Sequence, residues 1–331
     1  MSGDLAPDWI LKAALATQDT AHKSFLRMKP ELRPQNDGLT MTVLGCEDLG
    51  VALLTGLIKC LKSPSEVRND GKTHNQTLPS RLPTRFNACA RSSAGAKKIH
   101  DALDNFDANL EVFEIWDIAA VKEADVIVLD SLGAGLEESL CEALEGKLVI
   151  SIAAGVPRQN VLHTLSRGVS SKRDKFTVVR AAPNIAAAVR ESMTAVERSY
   201  PPGHEKMEMV EWIFESVGKV VYQSQYVMDA GMAFCSSGPA MCALIAESLA
   251  AGAIRSGMPR DEAYTMAAQI MKGTAALIQD GEHPALLRDK SLAPTNGAAV
   301  GLQVLEEGAV RGTISKATTA AIEASKAAHK Y

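Results

Sequence analysis

The chain has 331 residues, 46% of them apolar and 22% charged, with a formal net charge of −4. That length is too great for one small core and predicts two domains. The charge offers no basic field for nucleic acid or an anionic membrane, and no unbroken apolar run approaches the roughly 18–20 residues of a membrane helix. Six cysteines, Cys46, Cys60, Cys89, Cys141, Cys235 and Cys242, are scattered without CxxC or Cys/His pairing. They read as thiols of a reducing compartment, and neither disulfides nor a metal site are expected.

Met1–Leu39 carries Asp4, Asp8 and Asp19 ahead of its first arginine, Arg27. Transit peptides avoid acids, so this stretch reads as an N-terminal extension, with an accessory helix near Trp9–Leu15 and a Pro-bearing linker at Pro30–Gly38, on a cytoplasmic protein. A first domain is expected over 40–225. Thr40–Leu44 is β-prone and meets Gly45, and Gly50–Leu61 continues as a helix with apolar Val51, Leu54, Leu57, Ile58 and Leu61. Residues 62–84, rich in Ser, Pro, Asn and charge, read as an insertion loop. Strands follow at Arg85–Ala90, Leu110–Ile115, Ala124–Leu129, Leu148–Ala153, Phe176–Arg180 and Met193–Val196, with a helix at Ala94–Leu103 after the first of them. This alternation predicts an α/β fold with a mostly parallel sheet of the dinucleotide-binding type.

From about residue 226 the composition turns to Ala, Met, Leu and Glu, and helical periods recur at Ala240–Ser256, Arg260–Gln279, Ala299–Glu307 and Ile314–His329. An all-helical second domain over 226–331 is expected. Its apolar stripes have too little width to cover one another, which predicts a homodimer or a higher homo-oligomer.

The first βα turn reads Gly45-Cys46-Glu47-Asp48-Leu49-Gly50. A dinucleotide fingerprint places glycine where Glu47 stands, because backbone must approach a pyrophosphate closely. Taken alone, this turn reads as a helix N-cap without a ligand. Arg91-Ser92, closing the second strand, points the other way, since Arg beside a hydroxyl suits the 2′-phosphate of NADP. Ser237-Gly238-Pro239 reads as a helix cap with Pro in the first turn, and His283, before Pro284, as a loop or cap residue.

In order along the chain, these segments resemble pyrroline-5-carboxylate reductase, the fungal form in particular. The resemblance runs from about Thr40 to His329 and rests on Leu44-Gly45-Cys46, Arg85–Arg91, Ile150–Pro157, Arg190–Thr194, Ser237-Gly238-Pro239-Ala240 and Gly281–Lys290. It implies a Rossmann domain, a helical dimerisation domain, a nicotinamide cofactor and reduction of a cyclic imine, with a small-molecule pocket where two subunits meet. Cofactor contacts are expected from Gly45, Cys46, Leu49, Arg91, Ser92 and Asn184, with NADP as the nucleotide. Glu282 is the candidate acid, and Ser237 and Asn296 are candidate hydrogen-bond donors.

The departures from the family pattern gather around that chemistry. Beside Glu47, the family's Lys-Pro pair after the fourth strand is Leu132-Gly133, its Met-Pro-Asn-Thr is Ala182-Pro183-Asn184-Ile185, and the glycine before Ser-Gly-Pro is Ser236. Its Pro-Gly-Gly-x-Thr loop is Pro294-Thr295-Asn296-Gly297-Ala298, without the hydroxyl that would reach the imine nitrogen. These changes predict an NADP-dependent imine reductase with an altered substrate. A non-redox enzyme such as a cyclase or isomerase reusing the pocket, and a non-catalytic family member, are the alternatives.

Overall fold

A computed structural model describes residues 38–63, 79–114, 117–131, 138–166, 177–200, 204–292 and 297–327. The expected helix near Trp9–Leu15, most of the insertion loop, Leu132-Gly133 and Thr295-Asn296 lie outside these residues.

The chain runs β1 (Leu39–Leu44), α1 (Asp48–Lys62), β2 (Pro83–Cys89), α2 (Ser93–Leu103), β3 (Leu110–Phe113), α3 (Ile118–Glu123), β4 (Val126–Leu129), α4 (Glu138–Ala143), β5 (Leu148–Ser151), α5 (Arg158–Leu165) and β6 (Thr177–Ala182). A 3-10 turn (Ile185–Val189), β7 (Ser192–Glu197), α6 (Glu205–Glu215) and β8 (Gly218–Gln223) complete the sheet region. The strands form one eight-stranded sheet in the order β3-β2-β1-β4-β5-β6-β7-β8. All neighbours are parallel except β6 and β7. The α/β class with a mostly parallel sheet is therefore as the alternation predicts.

The middle strands are buried on both faces, which is why they read as unbroken apolar runs. Side chains alternate: Val126, Val128 and Ile150 join one core layer with α1, α2 and α6, whereas Ile127, Leu129 and Val149 join the other with α3, α4 and α5. Neither α6 nor β8 is among the expected elements. Val220 and Tyr222 of β8 are only half-buried at the sheet edge, so its apolar signal is weak.

After β8 the chain is helical: α7 (Gln225–Arg255), α8 (Arg260–Gln279), α9 (Pro284–Lys290), α10 (Ala298–Glu307) and α11 (Val310–Ala327). The reading of Ser237-Gly238-Pro239 as a cap is corrected here, because Pro239 sits inside the 31-residue α7. Proline costs an interior helix about 3 kcal/mol through its missing N–H and its ring clash. The first part of α7 offsets this by packing Met228, Met232 and Cys235 onto Ala182 and Ala195 of the sheet. Helix α7 is also long and apolar enough to cross a membrane by length and composition. The sequence reading missed this because Ser, Gly and Pro interrupt its apolar run.

Arg180 of β6 fastens α7 to the sheet. Its buried guanidinium donates to Glu197 Oε2 of β7 at 3.3 Å, to Asp229 Oδ1 of α7 at 2.8 Å and to Met232 Sδ at 3.1 Å. Beyond that anchor the helices bury little. Ala250, Ala263 and Ala267 form a small cluster, and Leu244, Ile270, Val300 and Val304 are each more than half exposed.

Removing one member of a buried charge set strands the others. Arg180→Ala should lower the unfolding free energy by about 3–5 kcal/mol, read as a fall in urea midpoint. Arg180→Met with Glu197→Gln should recover most of it, and equal midpoints for Arg180→Ala and wild type would show that the cluster fastens nothing.

Candidate functional site

In the sheet order β3-β2-β1-β4-β5-β6 the strands are added toward one edge up to β3 and toward the other from β4, so the order reverses between β1 and β4. Ligands of open parallel sheets bind in the crevice outside the carboxyl ends of the strands at such a switch point. Here that place is lined by the Gly45–Gly50 turn after β1, Arg91-Ser92 after β2 and Asp130-Ser131 after β4. Gly45 has φ +72°, a backbone twist that requires glycine, and a Cβ added there would also displace the Ser131 hydroxyl, 2.3 Å away.

Glu47 is the N-cap of α1, but its side chain makes no capping bond. The capping acceptor comes from another strand: Asp130 Oδ2 accepts from Glu47 N–H at 3.0 Å and from Gly50 N–H at 3.1 Å. The Asp130 backbone is itself fixed, its N–H donating to Leu44 O at 3.0 Å. A carboxylate at a helix N-terminus is favoured by the dipole and the free amides. The sequence reading missed Asp130 altogether. The signal was a lone acid closing an apolar strand, two residues before Leu132-Gly133.

The charges around the turn are paired. Arg91 Nη1 lies 3.5 Å from Glu47 Oε1, and Lys98 on α2 pairs with Asp48. Ser92 caps α2, its hydroxyl accepting from Gly95 N–H at 3.2 Å. Cys46 is buried beneath the turn, and burial pushes its thiol far up, with Asp130 adding to the shift. A diphosphate does not fit the turn as it stands: the Glu47 and Gly50 amides already serve Asp130, the nearby arginine already serves Glu47, and the Ser92 hydroxyl already serves a helix.

The other predicted residues lie further along the chain. Asn184 is buried; its side chain accepts from Ala186 N–H at 3.0 Å and its own N–H donates to Ser192 Oγ at 2.9 Å. Leu49 is half-buried in the first turn of α1. Ser237 turns back on α7, its hydroxyl donating to Ala233 O at 2.7 Å. Glu282, between α8 and α9, pairs with Lys290 Nζ at 2.5 Å. The adjoining His283 caps α9 by accepting from Ala285 N–H at 3.3 Å. Asn296 lies outside the described residues, immediately before Gly297, the N-cap of α10. The structure thus gathers the expected cofactor residues after β1 and β2 into one crevice and leaves Ser237 and Glu282 on separate helical elements.

The switch-point crevice of a doubly wound sheet, followed by helices with uncovered apolar faces, defines a Rossmann-type chain with an appended helical unit. The chain is 42% identical over 288 residues to a pyrroline-5-carboxylate reductase of Lophium arboricola, covering 84% of this chain and 90% of the relative. It is 36% identical over 310 residues to that of Neurospora crassa, covering 87% and 92%. Residues 225–328 match the family model for pyrroline-5-carboxylate reductase dimerisation. In fold it is similar to the NADP-bound pyrroline carboxylate reductase of Plasmodium falciparum, with a TM-score of 0.65, 21% identity, and coverage of 87% and 97%. This chain belongs to the pyrroline-5-carboxylate reductase family. Helix α7, whose composition would suit a membrane, falls within the matched dimerisation region.

Burial is the main reason the Asp130 carboxyl is held above its ordinary range; the amides of Glu47 and Gly50 pull it back, and the carboxylates of Glu47 and Asp48 push it up. A group with a raised folded pKa binds its proton more tightly folded than unfolded. It therefore adds stability below its unfolded value, near 3.8, and loses that contribution as pH rises through the folded value. The melting temperature of wild type should accordingly rise relative to Asp130→Asn as pH falls from about 7 to about 4. A difference that is flat across this range would contradict the assignment.

Proposed function

We propose that this chain is a homodimeric, NADP-dependent oxidoreductase that reduces a cyclic imine, with a substrate other than pyrroline-5-carboxylate itself. The observation that carries the oxidoreductase reading is the 42% identity to a pyrroline-5-carboxylate reductase along 84% of the chain. The NADP of the Plasmodium falciparum structure supports the choice of nucleotide. The match of residues 225–328 to a dimerisation model, with their exposed Leu244, Val300 and Val304, supports a second copy as the cover for α7–α11. In this reading residues 40–225 form the nucleotide domain, residues 226–331 form the dimerisation and substrate domain, and residues 1–39 are an extension. The protein works in the cytoplasm.

The altered substrate rests on the approach to α10. Ala298, the first residue of that helix, carries a methyl where the family resemblance puts a threonine hydroxyl. Losing one hydrogen bond to a reacting nitrogen costs roughly 10²–10³ in rate by analogy with an oxyanion donor. Glu282 is the acid assigned to proton transfer, and Ser237 and Asn296 are the hydrogen-bond donors assigned to the substrate. A second reading, a non-redox enzyme reusing the same pocket, is favoured by one observation: the Asp130 carboxylate on the amides a diphosphate would use.

An assay with pyrroline-5-carboxylate and NADPH, read as proline formed, tests the substrate assignment. Wild-type turnover should fall below the ordinary range of roughly 1–10³ s⁻¹, and Ala298→Thr should raise it. Turnover inside that range would refute the altered substrate. Oxidation of NADPH with other cyclic imines, reduced roughly 10²-fold or more by Glu282→Gln, is the result expected of the reductase. No NADPH oxidation with any cyclic imine would leave the non-redox reading.

A further inference from the structure

We propose that Asp130 serves as the chain's own anion in the switch-point crevice, holding the turn amides closed to a diphosphate and so setting how tightly any dinucleotide binds. This rests on the nicotinamide reading above only in naming the ligand. The occupied amides stand on geometry alone.

One oxygen, Asp130 Oδ2, takes both N–H groups, Glu47 at 3.0 Å and Gly50 at 3.1 Å, as a single phosphate oxygen would. The residue is not a mobile surface acid that happens to lie there. Its N–H extends the β4–β1 ladder onto Leu44 O, and Ile152 N–H donates to Leu129 O on its other side. The carboxylate is therefore delivered by a fixed backbone at the end of a fully buried strand. Space is equally limited, because a Cβ added to Gly50 would lie 3.0 Å from Asp130 Oδ2.

Charge reinforces the closure. Three carboxylates, Asp130, Glu47 and Asp48, face two cations, Arg91 and Lys98, each already paired. Burial pushes the Cys46 thiol up, so it adds no further negative charge. A dinucleotide must first displace Asp130 from both amides, and then brings further negative charge beside the other two acids. Competition of this kind acts on the diphosphate, which NADPH and NADH share, so it lowers the affinity of both by the same factor. It differs in this from the Glu47–Arg91 pair, whose release also frees Arg91 for the 2′-phosphate that NADPH alone carries.

The experiment titrates NADPH and NADH separately into full-length wild type, Asp130→Ala, Asp130→Asn and Glu47→Gln, with thermal melting to establish folding. Both Asp130 variants should bind both nucleotides at least about tenfold more tightly than wild type, with equal factors for the two. Glu47→Gln should favour NADPH over NADH. Should Asp130→Ala fail to fold, Asp130→Asn keeps an acceptor oxygen for the amides without the charge. Unchanged affinity in folded Asp130→Asn overturns the proposal, and if wild type binds NADPH and turns over an imine the reductase reading survives that result. A gain confined to NADPH also overturns it. Absence of binding in every variant at millimolar nucleotide overturns both the proposal and the nicotinamide reading.

Discussion

A parallel sheet brings the carboxyl ends of its strands out along one edge, and where the strand order reverses no crossover helix covers them. This chain's site follows from that constraint. Residues far apart in sequence, Gly45–Gly50, Arg91-Ser92 and Asp130-Ser131, meet because β1, β2 and β4 lie side by side. The free amides of α1 then require an acceptor from somewhere, since buried donors are seldom left unpaired. A nucleotide-binding family supplies that acceptor from a ligand; here a neighbouring strand supplies it from within.

Much of the fold was legible in the sequence for a simple reason: strands buried on both faces leave unbroken apolar runs. Val126–Leu129 and Leu148–Val149-Ile150 could be read directly, and so could α8, whose bounds Arg260 and Gln279 follow from the breaks on either side. Less regular burial hid the rest. Strand β8 has no fully buried residue, so its pattern did not stand out from its surroundings. Pro239 misplaced the start of α7, because a proline at a first turn and a proline tolerated mid-helix have the same local sequence. The difference lies in Met228 and Met232 reaching the sheet, which is tertiary information.

The site was legible in part and for a related reason. Glycine in the turn and arginine after β2 follow positional rules, so Gly45 and Arg91 were expected where they stand. Their present partners were not. The bonds from Glu47 and Gly50 to Asp130 span 83 and 80 residues, and no periodicity announces such a pairing. The acids of the turn also come with compensation, Glu47 with Arg91 and Asp48 with Lys98, in exposed pairs worth at most about 1 kcal/mol each. Such pairs do little for stability, but they spend the positive charge that the crevice would otherwise offer to an anion.

Helix α7 is held to the sheet before Pro239 by Met228, Asp229 and Met232, and beyond it packs on α11 at Met241 and on α8 at Ala250. Pro239 falls between them, where the helix lacks one backbone bond. The sixteen residues from Ala240 to Arg255 extend about 24 Å beyond it. A bend of about 20° at the proline would carry the far end through about 8 Å. Pro239 is thus the elbow of a forearm: any rotation there would reposition what is attached at the wrist, namely α8, the Glu282 turn after it, and the faces a second subunit would grip.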